Sequence, residues 1–179
     1  MDCKPVDESS IPSQASIFTG VRIGMPTEIE RKFLIDPSKL PAPSSPVFMQ
    51  QGYLSKDPWV RIRVTDTYAE LTIKGPGNLS RAEFNYIIPK YEAEEMKPML
   101  KGTLSKNRHS VVVGGKAWDV DEFLSPPSLA GFWLAEIELI REGEDFEMPV
   151  WALKEVTEDH RYSNAWLVEH GVPAPHVTD

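Results

Sequence analysis

Thr27-Glu28-Ile29-Glu30-Arg31-Lys32-Phe33-Leu34-Ile35 places Glu28, Glu30 and Lys32 at strict two-residue spacing, with Ile29, Phe33 and Ile35 as apolar neighbours. Side chains of a β-strand alternate between its faces, so the three charged groups project together. Two carboxylates on one face repel unless a cation lies among them, and a hard divalent ion such as Mg2+ accepts that oxygen-rich setting. A solvated strand face has the same spacing, and short E-x-E-x-K matches are common. The stretch predicts a strand; what its charges do depends on the other strands.

Four further segments repeat the device. Trp59-Val60-Arg61-Ile62-Arg63-Val64 sets two guanidiniums opposite Val60, Ile62 and Val64. Tyr68-Ala69-Glu70-Leu71-Thr72-Ile73-Lys74 ends on a lysine before the turn signal Gly75-Pro76-Gly77. Leu104-Ser105-Lys106-Asn107-Arg108-His109 alternates cations, and Leu134-Ala135-Glu136-Ile137-Glu138-Leu139-Ile140 alternates carboxylates. Faces bearing like charges are costly unless opposite charge is supplied. A phosphate chain carrying Mg2+ supplies it to both kinds of face, since the metal bridges phosphate oxygens while Arg and Lys hold the remainder. Salt bridges between the strands are the alternative.

In this order the motifs make the chain resemble the CYTH proteins, also called triphosphate tunnel metalloenzymes. The likeness rests on Glu28-Ile29-Glu30-Arg31-Lys32, the Arg61/Arg63 pair, Ile73-Lys74-Gly75, Arg81-Ala82-Glu83-Phe84, Lys106/Arg108, Val120-Asp121-Glu122-Phe123 and Ala135-Glu136-Ile137-Glu138. Glu155-Val156-Thr157-Glu158-Asp159, followed by Arg161-Tyr162-Ser163-Asn164, looks like the C-terminal signature of the short bacterial members. The resemblance implies a mainly β, α+β fold: a closed antiparallel barrel of about eight strands with flanking helices, whose charged interior binds a triphosphate with Mg2+ or Mn2+.

It also implies roles. Glu28, Glu30 and Lys32 form the catalytic motif, and Glu28, Glu30, Glu136 and Glu138 hold the metal. Asp121 joins the metal set or orients a neighbouring cation. Lys32, Arg61, Arg63, Lys74, Lys106 and Arg108 bind the phosphates, and Glu83 orients one of these cations. The implied reaction is metal-dependent hydrolysis of a terminal phosphoryl group.

The family also contains thiamine triphosphatases, class IV adenylate cyclases and RNA 5′-triphosphatases. The cyclases usually start with His-Phe, where this chain has Met25-Pro26-Thr27. Fungal RNA triphosphatases tend to carry an additional acid and an arginine where Leu134 and Asp119 stand here. Inorganic tripolyphosphate is therefore the expected substrate, ahead of thiamine triphosphate and cyclase chemistry. A non-catalytic polyphosphate or nucleotide-binding module is the rival from another class, and four glutamates are more than binding alone requires.

The chain of 179 residues suffices for one domain without disulfides. Its net charge of −8 argues against nucleic acid as a partner. Cys3 as sole cysteine suits a reducing cytoplasm, and no apolar run approaches the roughly 18 residues of a membrane span. A homodimer is compatible with the sequence. Residues 1–24 are rich in Ser, Pro and charge and are expected to be a disordered extension; the tunnel domain is expected over 25–172, starting at Met25-Pro26, with a tail over 173–179.

Strands are expected near 27–35, 47–54, 59–65, 68–74, 80–88, 104–113, 116–124 and 132–140, with helices near 89–100 and 162–170. The second helix stops at Gly171-Val172-Pro173. His109, His160, His170 and His176 lack zinc-ligand spacing, and alternation turns His109 away from the charged face. Tyr162 and Trp166 read as anchors of the last helix, and Arg81 and Arg161 stay outside the expected site.

Overall fold

The structure is a computed structural model and describes residues 27–41 and 45–174. The expected N-terminal extension and residues 175–179 of the tail lie outside the described residues. Nine strands run as β1 (Thr27–Ile35), β2 (Val47–Lys56), β3 (Trp59–Thr65), β4 (Ala69–Lys74), β5 (Ser80–Ile88), β6 (Thr103–Val113), β7 (Lys116–Ser125), β8 (Trp133–Glu138) and β9 (Ala152–Glu155). Helix α1 (Lys90–Met96) follows β5, and α2 (Asn164–His170) follows β9.

The strands hydrogen-bond in the order β5-β4-β3-β2-β6-β7-β8-β1-β9, and β5 pairs back onto β1. Strands β1 to β8 thereby close an antiparallel barrel. Strand β1 makes the closure by dividing its length: Thr27–Ile29 pair with β5, and Glu30–Leu34 pair with β8. Its far end also pairs with β9, a ninth strand not expected from the sequence. Strand β9 is four residues long, too short to show alternation, and is held by its register against Phe33 and Ile35.

Alternation sorts the residues as expected, but helices cover less of the outside than expected. Ala93 and Met96 of α1 pack with Ile62, Val64, Ala69 and Leu71 over β3 and β4. Over β1, β7 and β8 the cover is the segment joining β8 to β9. Its Trp151 and Phe146 meet Trp118 edge-on at 5.2 and 5.5 Å, beside Phe33, Val120, Ala135 and Ile137. Phe84 and Tyr86 on the outer face of β5 stay exposed.

Helix α1 stops at Met96 and tightens into a 3-10 turn over Lys97–Met99, because Pro98 removes a backbone donor. Helix α2 is capped by Ser163, whose hydroxyl accepts from the Trp166 amide, and ends at Gly171 with φ 77°. It seats against the turn entering β6 at Gly102, where φ is +100° and a Cβ would lie 2.4 Å from Val168 Cγ1. Lys56 also pairs with Glu169. Among the described residues no helix is long and apolar enough to cross a membrane.

Candidate active site

Inward-facing side chains of β1 to β8 surround a cavity of about 450 Å3, β2 contributing Tyr53. Glu28, Glu30, Lys32, Arg61, Arg63, Lys74, Glu83, Arg108, Glu136 and Glu138 all line it. The register explains why: Glu30 lies opposite Glu138 and Lys32 opposite Glu136 on β1 and β8, while Lys74 lies opposite Glu83 on β4 and β5. Lys106 and Asp121 are placed otherwise. Both side chains are fully buried and absent from the lining; they pair with each other, and Lys106 lies 5.7 Å from the Phe123 ring.

On the acidic wall the Lys32 ammonium donates to Glu136 at 2.5 Å and also to Glu30. Burial works against that charge, but Glu136 and Glu30 outweigh it and hold the Lys32 pKa raised. Burial likewise opposes ionisation of Glu136, yet Lys32 and Arg108 keep it well below the carboxylate range. Nearer the start of β1, Lys74 donates to both oxygens of Glu28 at 2.8 and 2.9 Å and pairs with Glu83 at 2.6 Å. Burial pushes Glu83 up, but contacts with Glu28 and Lys74 bring it down to about 2.

The cationic wall is less evenly matched. Arg61 donates to Thr72 at 2.7 Å and to Glu70 at 3.2 Å. Arg63 has its nearest carboxylate, Glu70, at 3.9 Å. The Nε atoms of both arginines are buried without a hydrogen-bond partner. Burial, with Arg61 and Arg108 close by, lowers the Arg63 pKa to about 10. Arg108 is held firmly instead: it donates twice to Asp121 at 2.7 Å, to Asp119 at 2.6 Å and to Glu136 at 2.9 Å. Lys106 beneath it is lowered to about 8 by burial and by Arg108, despite Asp121.

The lumen is floored at one end. Leu34, Leu104, Phe123 and Leu134 have the same parity as the charged residues of their strands, yet they form an apolar cluster with Leu129, Val156, Tyr162 and Leu167. Helix α2 thus closes the barrel, and its Ser163, Asn164 and Ala165 contribute to the cavity wall. Tyr162 and Trp166 anchor it, as expected.

Sequence reading missed several lining residues. Arg81 donates to Glu28 at 2.8 Å, and Glu70 faces the two arginines. Asp119 braces Arg108; burial and the nearby Asp121 and Glu136 carboxylates raise its pKa against the pull of Arg108. Asn85 accepts from Thr72 at 2.7 Å and donates to Glu83 at 2.9 Å. Parity carried back from Lys74 to Glu70, and from Asp121 to Asp119, is the signal that finds two of them. His109 points outward, as expected, stacked on Trp133 at 5.6 Å.

The acidic wall fits a hard divalent ion by donor type, since Glu28, Glu30, Glu136 and Glu138 offer only carboxylate oxygens. Among the described residues no three His, Cys, Asp or Glu side chains form a group already able to hold a metal. Between Glu30 and Glu136 sits a cation of the protein's own, the Lys32 ammonium.

The CYTH domain family model matches residues 26–169. An inorganic triphosphatase of Acetivibrio thermocellus is 39% identical over 151 residues, covering 82% of this chain and 96% of that protein. An inorganic triphosphatase of Nitrosomonas europaea is 34% identical over 151 residues, covering 79% and 96%. A crystal structure of an inorganic triphosphatase superimposes with a TM-score of 0.57 at 30% identity, over 83% of this chain and 96% of that one.

Proposed function

The chain belongs to the CYTH domain family, and we propose that it hydrolyses the terminal phosphoryl group of a triphosphate, with inorganic tripolyphosphate preferred. The observation that carries this reading is Arg63. A half-buried guanidinium on the cavity wall, its Nε unpartnered and its nearest carboxylate 3.9 Å away, crowded by Arg61 and Arg108, offers its charge to an anion. The two relatives named inorganic triphosphatase support the choice of substrate.

Arg63 and Arg61 offer planar forks to phosphate oxygens, and Lys74 offers a point charge. Arg108 presents a guanidinium already aimed by Asp121 and Asp119. Asp121 and Lys106 act in this reading as positioning residues, because both are sealed from the cavity. Glu28, Glu30, Glu136 and Glu138 would hold Mg2+ or Mn2+. Such an ion, when bound, neutralises phosphate charge and makes a water nucleophilic. Phosphoryl transfer asks little covalent help of a protein, so the chain's own share is alignment and charge compensation. Among the described lining residues the aromatic ones are Tyr53 and Trp59, so binding energy comes chiefly from phosphates. The sole cysteine, Cys3, fits a cytoplasmic setting.

The test is phosphate release from tripolyphosphate beside ATP, thiamine triphosphate and 5′-triphosphorylated RNA. The expected result is the highest kcat/KM with tripolyphosphate, ADP and phosphate as the products of any ATP turnover, and no release in EDTA. Cyclic AMP with pyrophosphate from ATP, or tight binding without turnover, would replace this reading.

A further inference from the structure

Lys32 is anchored at its backbone, and its buried head is held by two carboxylates. Its amide donates to Thr157 Oγ1 at 3.1 Å, and its carbonyl accepts from the Val156 amide at 2.9 Å. From that fixed point the flexible stem carries the ammonium between Glu30 of its own strand and Glu136 of β8. Both oxygens of Glu136 are thereby engaged, one by Lys32 and the other by Arg108. A divalent ion reaching Glu30 and Glu136 together would meet the ammonium at the same place, and like charges at that range exclude each other.

We propose that Lys32 stands in for the divalent ion between Glu30 and Glu136 while the lumen holds no ligand, and that an arriving triphosphate draws its ammonium away, so that metal and triphosphate favour each other's binding. The phosphate chain gives the ammonium a new counter-charge beside Arg61 and Arg63, and vacates two carboxylate oxygens for the ion. The coupling is reciprocal: whatever the anion adds to metal affinity, the metal adds to anion affinity. Lys32 is in this sense a competitor for the metal that the triphosphate removes. The inference rests on the reading of Glu30 and Glu136 as metal ligands.

Mn2+ binding, read from the EPR signal of the free ion, tests it on the full chain with no phosphate compound present. Lys32→Met is expected to bind Mn2+ at least about tenfold more tightly than wild type, because the competing charge is gone. Arg31→Met, which removes a guanidinium facing outward to Glu155, is expected to keep wild-type affinity. Equal or weaker binding by Lys32→Met, or an equal gain in both variants, overturns the proposal. Where Lys32→Met does not fold without metal, Lys32→Gln keeps a neutral donor beside the carboxylates and is read the same way.

A crystal structure of wild type with Mn2+ and a methylene-bridged triphosphate gives a second reading. Lys32 Nζ on a phosphate oxygen supports the exchange, and Nζ still between Glu30 and Glu136 contradicts it. The Mn2+ titration involves no triphosphate and no turnover. It can fail while hydrolysis is found, and succeed while hydrolysis is absent.

Discussion

The inside of this barrel has two regions, one charged and one apolar, built by the same strands. Strand β1 passes from Glu28, Glu30 and Lys32 to Leu34; β6 passes from Arg108 and Lys106 to Leu104; β7 from Asp119 and Asp121 to Phe123; β8 from Glu138 and Glu136 to Leu134. The apolar ends meet α2 and pack as an ordinary core, whereas the charged stretches surround an open cavity. At the boundary sits the sealed Lys106–Asp121 pair, which belongs to the packed region by burial and to the charged one by chemistry. The difference separates what holds the fold from what is kept for a ligand: apolar inward residues are satisfied by each other, while Arg61 and Arg63 each leave a buried Nε unpartnered.

The largest effect is expected on the apolar side. Phe123→Ala removes a fully buried ring from the floor and should cost about 3–5 kcal/mol of stability in urea unfolding. A loss below about 1 kcal/mol would mean the floor collapses freely and the two regions are not distinct in packing. Next comes the charged side. Glu138→Gln should lower kcat for tripolyphosphate by at least about 10²-fold with little change in melting temperature, because Glu138 is exposed to the lumen rather than packed. Matching losses of turnover and stability would make it a structural carboxylate.

A smaller effect concerns acid. The Glu83 pKa is depressed from 4.5 to about 2, so its contribution to stability is present above about 4.5 and is lost as pH falls toward 2. Glu83→Gln should therefore flatten the fall in stability over that window, measured by thermal unfolding at stepped pH. An unchanged slope would assign the acid sensitivity to other carboxylates.

Much of this division could be read from the chain, and the reason is geometric. Two-residue spacing tells which side chains of one strand share a face, Glu28 with Lys32 and Arg61 with Arg63; that these faces meet in one lumen is what the family resemblance implies, and the first eight strands lie close to their expected positions. Spacing does not tell how far along a strand the barrel is open. Lys106 has the same parity as Arg108, yet it is sealed above Phe123 because the floor rises there, and that level depends on where α2 docks. Glu70 shares the parity of Lys74, and Arg81 that of Glu83 at the very start of its strand, but parity does not name their partners: the register across β3, β4, β5 and β1 brings Glu70 to Arg61 and Arg63, and Arg81 to Glu28. Strand β9 was invisible because pairing with β1, and not local pattern, makes it a strand.

Arg63→Ala tests the separation of the two regions most directly, through its melting temperature with and without tripolyphosphate. Removing a half-buried, under-neutralised guanidinium relieves repulsion with Arg61 and Arg108, so the variant should melt at or above wild type in the absence of anion and gain less than wild type when tripolyphosphate is added. A variant that melts several degrees below wild type without ligand, yet is stabilised by tripolyphosphate as strongly as wild type, would contradict it: Arg63 would then serve the fold and not the triphosphate.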